Sequence, residues 1–134
     1  MEAPAGRERK EAPQGITVLV AEDDPRVRDL TVEGLGASGI KVLKASDGAE
    51  AVKVFMSNTC SISVLVFDVV MPVLSGPDAY REITAAGYDI PVVFTTGYAG
   101  DRLSGLPGKH LVLHKPYITG DLVQAIADLA GGGN

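Results

Sequence analysis

Three carboxylates stand together at Glu22-Asp23-Asp24, directly after the apolar run 16–20. A single carboxylate, Asp68, follows the apolar run 64–67. Two hydroxyls, Thr95 and Thr96, end the run that begins at Ile90, and one ammonium, Lys115, follows the run 110–113. An ionised carboxylate is costly inside an apolar element and tolerable at its rim, so each polar position should mark an element's end. If these ends share one rim, at least three carboxylates meet and repel. Either a pKa rises or a cation sits among them. Oxygen ligands with no neighbouring His or Cys suit Mg²⁺ (or Mn²⁺). Beside such an ion Asp68 could attack a phosphoryl donor and become an aspartyl phosphate. The ion, the Thr96 hydroxyl and the Lys115 ammonium would then stabilise charge on the transferring oxygens. The plainer alternative is that Asp68 is an ordinary loop aspartate of an α/β domain.

A parallel sheet would bring these positions together, because it places the carboxyl ends of all its strands on one rim. Strands are expected over 16–20, 40–43, 64–67, 90–95 and 110–113, each rich in β-branched or other apolar residues. Between them lie helix signals. Asp24 before Pro25 reads as an N-cap followed by a first-turn proline. Val27, Leu30, Thr31 and Leu35 keep a helical period, ended by Gly36 and Gly39. Asp47 and Glu50 have capping-box spacing, ahead of a buried face of Ala51, Val52 and Phe55. Met71-Pro72 breaks the third strand, and Ser75 caps a helix over 76–86 with Ala79, Tyr80 and Ile83 inward. Residues 99–109 hold Gly100, Gly105, Pro107 and Gly108, so a fourth helix there should be short, frayed or absent. Thr119 is expected to cap a last helix in which Leu122, Ile126 and Leu129 recur at helical spacing. Strands alternating with helices imply right-handed crossovers and an α/β fold. Alternation along the fourth strand turns Thr95 away from Thr96, so Thr95 should pack.

The chain has 134 residues, enough for one domain with one core. Its net charge of -5 argues against a nucleic-acid or anionic-membrane surface. The single Cys60 excludes an internal disulfide and a cysteine metal cluster, and is expected to pack. His110 and His114 have no companion for a histidine metal site and should be structural or exposed. No apolar run approaches the length of a membrane span, and the charged start has no secretory h-region. A cytoplasmic location is the default expectation. Residues 1–15 read as a disordered leader or linker, 16–130 as the domain and 131–134 as a flexible tail.

Four motifs in order carry a family resemblance. They are the acidic pair Glu22-Asp23, the Asp-x-x-Met-Pro-x-x-x-Gly run from Asp68 to Gly76, Thr96-Gly97, and Lys115-Pro116. Each alone is weak; together, at successive strand ends, they are specific. The chain resembles the response-regulator receiver domains of two-component signalling over nearly everything but the leader. The resemblance implies a doubly wound, flavodoxin-like, five-stranded parallel sheet of order 2-1-3-4-5, flanked by five helices. It implies Asp68 as phosphoacceptor, with Asp23, Asp68 and the Val70 backbone carbonyl as metal ligands and Glu22 acting through a water. Thr96 and Lys115 would contact the phosphoryl group, and the Lys115-Pro116 bond would be cis. It also implies a histidine kinase or histidine phosphotransfer protein as donor, and a downstream protein that the sequence does not name. A receiver catalyses its own phosphorylation and dephosphorylation but serves mainly in signalling. Such a domain stands alone or forms part of a hybrid kinase.

The chain departs from the common pattern. Many receivers carry an aromatic switch residue three positions before the lysine, where this chain has Val112. Phe94 with Thr96-Gly97-Tyr98 resembles instead the receiver subgroup called FATGUY, which lacks that switch. Phosphorylation is then expected to order residues 99–109 and change the structure near the fourth and fifth strands. Unchanged amide exchange there on adding beryllofluoride would refute this. Val70 and Tyr98 should flank the path of an attacking water, and neither can orient one, which predicts slow loss of the phosphoryl group. Two rival readings remain. One is a pseudo-receiver that binds partners without phosphorylation, against which the intact Asp23, Asp68, Thr96 and Lys115 set argues. The other is a flavodoxin-type binder of small molecules, which lacks a glycine-rich phosphate loop after the first strand.

Overall fold

The structure is a computed structural model that describes residues 15–97, 103 and 105–131. β1 (Thr17–Ala21) leads into α1 (Pro25–Ala37), β2 (Lys41–Ala45), α2 (Gly48–Met56) and β3 (Ile62–Asp68). There follow α3 (Gly76–Ala85), β4 (Val92–Thr96), β5 (His110–His114) and α4 (Thr119–Ala130). The five strands form one parallel sheet of order β2-β1-β3-β4-β5, as expected.

Strand alternation divides the core in two. Leu19, Leu65, Phe67 and Phe94 turn to one face, where Phe55 of α2 and Tyr80 and Ile83 of α3 cover them. Val18, Val20, Val64, Val66 and Val93 turn to the other, under Leu35 of α1 and Leu122, Ile126 and Leu129 of α4. β1, β3 and β4 are buried on both faces, which is why they read as unbroken apolar runs.

The expected caps are largely present. Asp24 accepts from the Arg26 N–H at 2.9 Å, Asp47 from Glu50 at 2.8 Å and Ser75 from Asp78 at 3.2 Å. Glu50 reaches back one residue further than a capping box, to the Ser46 N–H at 2.6 Å. Three expectations need correction. Thr119 does not cap α4: Ile118 stands at that position and makes no side-chain bond. Its carbonyl accepts the Asp121 N–H instead, at 3.0 Å. Gly36 lies within α1, and the chain turns at Gly39, where φ is +88°. Within α1, Leu30 keeps the helical period but is 68% exposed, and only Leu35 is fully buried. Cys60 does not pack; it is exposed in the turn between α2 and β3.

Four helices, not five, flank the sheet among the described residues. Of residues 99–109, the described ones (103 and 105–109) form turns and irregular backbone, and Gly105 and Gly108 have φ of +73° and +79°. Those angles and Pro107 are incompatible with a helix there. The remainder of that stretch lies outside the described residues.

Candidate functional site

Glu22 follows β1 by one residue, Asp68 ends β3, and Lys115 follows β5 by one residue. All three continue the alternation that turns Val20, Val66 and Leu113 toward the second core cluster. The chain therefore leaves three neighbouring strand ends with charged side chains on one side of the rim. Lys115 Nζ donates to Glu22 Oε1 at 2.9 Å and to Asp68 Oδ2 at 3.2 Å. Glu22 and Asp68 are buried, at 5% and 7% exposure, whereas Asp23 is exposed. One carboxylate oxygen from each of Glu22, Asp23 and Asp68 lies within 4.8 Å of the others.

The surroundings hold this arrangement. The second Glu22 oxygen accepts the Asp24 N–H at 3.1 Å, and Arg28 donates to the Glu22 carbonyl at 2.9 Å. The Val69 N–H donates to the Thr95 carbonyl at 2.9 Å, and the Gly76 N–H to the Val69 carbonyl at 3.0 Å, closing the loop after Asp68 on itself. Gly76 is required there, since a Cβ would strike the Asp68 carbonyl. Gly48 of α2 meets the Leu74 carbonyl in the same way. Within the loop the Leu74 N–H donates to the Pro72 carbonyl at 2.7 Å, a γ-turn centred on Val73 with φ of +71°. That backbone is rare for a β-branched residue.

Burial pushes the Asp68 carboxyl up to about 6, the Glu22 charge adds to the rise, and Lys115 only partly offsets it. For Lys115, burial acts to lower the pKa, but its bonds to Glu22 and the Asp68 charge outweigh this and raise it. Both alternatives raised by the acidic cluster therefore have a physical basis. A carboxyl titrates high, and the same oxygens are spaced to share a cation.

The expected site residues fall out as follows. Glu22, Asp23, Asp68 and Lys115 come together. Thr96 is buried at the end of β4, and its carbonyl accepts the Lys115 N–H at 2.8 Å. Thr95 packs at 3% exposure, in register with Asp68. Val70 lies in the loop two residues beyond Asp68, 42% exposed. The Lys115-Pro116 bond is cis. Tyr98 lies outside the described residues. No motif pointed to Arg28, because its contact with Glu22 depends on the turn between β1 and α1. His114 is exposed, and His110 has a buried Nδ1 with no hydrogen-bond partner.

A sequence model of the response regulator receiver domain matches residues 18–127. The chain belongs to the response-regulator receiver family. The receiver is 34% identical over 112 residues to the response regulator receiver protein CpdR of Brucella abortus (strain 2308), spanning 81% of this chain and 92% of CpdR. It is also 34% identical over 116 residues to the sensor kinase CckA of the same organism, covering 84% of this chain but only 12% of the kinase. Among solved structures, a response regulator receiver domain protein from Clostridium thermocellum is similar, with a TM-score of 0.80 and 31% identity. That likeness covers 87% of this chain and 95% of the other. Receiver domains of two-component systems take phosphoryl groups from histidine kinases. No helix among the described residues of this receiver is long and apolar enough to cross a membrane.

Proposed function

We propose that this receiver accepts a phosphoryl group on Asp68 from a phosphohistidine donor, in a reaction that depends on Mg²⁺ or Mn²⁺. The observation that carries the reading is the position of Lys115 Nζ, bonded at once to Glu22 and Asp68, with Asp23 in the same carboxylate group. The carboxylate oxygens of Glu22, Asp23 and Asp68 are close enough to suit a hard divalent ion; Asp23, Asp68 and the Val70 carbonyl would hold it, with Glu22 acting through a water. When bound, that ion supplies positive charge to the phosphoryl oxygens. An Asp68 oxygen forms the new bond to phosphorus while the bond from phosphorus to the donor's imidazole nitrogen breaks, and the imidazole leaves with that electron pair. Lys115 holds its ammonium at the anionic oxygens, and Thr96 offers a hydroxyl. Glu22 and Asp68 are buried, and Gly76 lets the loop after β3 close against the Asp68 carbonyl.

The donor is a histidine kinase or a histidine phosphotransfer protein, and the output is a change near β4 and β5 read by a downstream protein. We place the receiver in the cytoplasm, as residues 16–130, with residues 1–15 as leader and 131–134 as tail. The apolar Val70 side chain leaves no group there to orient an attacking water, so the acyl phosphate should decay slowly. Val70→Asn should shorten its lifetime; an unchanged and rapid decay would overturn that point.

The test is incubation with acetyl phosphate, followed by intact mass. The wild type should gain one phosphoryl group when Mg²⁺ is present and none with chelator. Asp68→Asn should gain none. Incorporation that is indifferent to Mg²⁺, or that survives Asp68→Asn, would overturn the proposal. A protein that folds and takes up no phosphoryl group under any of these conditions would favour a pseudo-receiver.

A further inference from the structure

β5 (His110–His114) is an edge strand of the sheet. Its pairing with β4 fixes which backbone groups are used. The Val92 N–H donates to the Lys109 carbonyl at 3.1 Å, and the Lys115 N–H donates to the Thr96 carbonyl at 2.8 Å. Odd-numbered residues therefore turn their backbone groups toward β4. By alternation His110, Val112 and His114 direct their N–H and C=O groups outward, past the edge. Leu111 and Val112 are 37% and 38% exposed. Among the described residues, no lysine, proline or glycine lies within the strand, and its register with β4 has no bulge.

Its sequence, His-Leu-Val-Leu-His, reads the same in both directions. A second copy laid antiparallel about an axis through Val112 would oppose His110 to the partner's His114, Leu111 to the partner's Leu113 and Val112 to the partner's Val112. This register sets every outward backbone group against another outward group, and each outward pair can exchange two hydrogen bonds. An axis through Leu111 instead would leave His114 unopposed. The side chains match as well. Leu111 and Leu113 line a groove of about 520 Å³ against Ala125, with Asp121 and Asp128 of α4 at its border. The same register sets the partner's Lys109 opposite Lys115. Lys115 itself is turned to Glu22 and Asp68.

We propose that β5 pairs antiparallel with β5 of a second copy of this chain on a two-fold axis through Val112, joining two five-stranded sheets into one. The contact is narrow, so the dimer is weak and forms at high concentration.

Sedimentation equilibrium over roughly 10 µM to 1 mM, the range suited to a small interface, tests it. The wild type should pass from monomer to dimer. Val112→Pro removes an N–H that points away from β4, so the receiver keeps its own ladder and loses the intermolecular one. Val112→Lys sets like charges face to face on the axis. Each should weaken dimerisation at least about tenfold while thermal unfolding stays near that of the wild type. In a Cys60→Ser background, Val112→Cys places two thiols across the axis at a separation a disulfide can span. It should oxidise to a covalent dimer far faster than Leu30→Cys in the same background, which is exposed but off the axis. A wild type that stays monomeric throughout would overturn the proposal. So would a dimer that persists in both Val112→Lys and Val112→Pro, or a Val112→Cys protein that cross-links no faster than Leu30→Cys.

Discussion

β3 and β5 are both apolar runs that lead into a charged side chain, yet they occupy opposite situations. β3 lies at the centre of the sheet and is buried on both faces, up to and including Asp68. β5 lies at the edge, and three of its five residues are exposed. The carboxylate proposed to react thus sits on a strand that is almost wholly buried, and its counter-charge, Lys115, enters from the strand that is least so. The difference teaches that sheet order, more than local composition, decides what a strand end can do. A carboxylate at the central rim has its pKa pushed up by burial. A lysine following the edge strand keeps its charge and reaches inward.

The sharpest way to break this comparison is a matched pair of truncations. Phe67→Ala, at a fully buried site in β3, should cost about 3–5 kcal/mol in urea unfolding. Leu111→Ala, at a site 37% exposed in β5, should cost under about 1 kcal/mol. Equal losses would mean that β5 is as buried as β3 in solution.

The second effect is smaller and has a sign of its own. The folded Asp68 carboxyl titrates near 6, above its ordinary 3.8, so the folded protein binds this proton more tightly than the unfolded chain. In metal-free buffer, stability should therefore fall as pH rises from about 4 to about 6, and this contribution should be constant above that. Asp68→Asn should remove that dependence and stabilise the protein at neutral pH by about 1–3 kcal/mol. Chemical denaturation from pH 4 to pH 8 measures it; a stability that climbs across this window and drops on Asp68→Asn would show that Lys115 dominates the pocket. The smallest effect concerns strain, which belongs to the loop after β3 and has no counterpart beside β5. Val73 holds φ of +71° and is 81% exposed, so Val73→Gly should stabilise by about 1 kcal/mol. A loss of stability would place the cost of that turn elsewhere.

Much of this molecule could be read from its residues because local and global signals agree. Asp24-Pro25, Asp47 and Ser75 mark three helix starts by side-chain chemistry that acts within a few residues. The runs ending in Glu22, Asp68 and Lys115 could be assigned to one rim because a parallel sheet leaves no other place for them. What escaped depends on distant parts of the chain. Leu30 keeps the helical period of a core residue, but nothing packs over it, which only the placement of α1 decides. Thr119 has the chemistry of a cap and lies one residue too late, inside α4, whose cap position falls on Ile118. Glu22 and Asp23 are neighbours of similar type, and their division into a buried partner of Lys115 and an exposed carboxylate follows from the turn after β1. The exposure of β5 was hidden for the same reason: a run of Leu and Val does not say whether it lies at a centre or an edge.

The central claim is that one carboxylate, at the end of the central strand, takes the phosphoryl group. The most direct measurement is borohydride trapping of the acyl phosphate after reaction with a phosphodonor and Mg²⁺, with the modified residue located by peptide mass spectrometry. The account predicts reduction at position 68 alone, abolished by chelator. Label at Asp23, at Glu22 or at any residue away from this rim, with Asp68 intact, would contradict it.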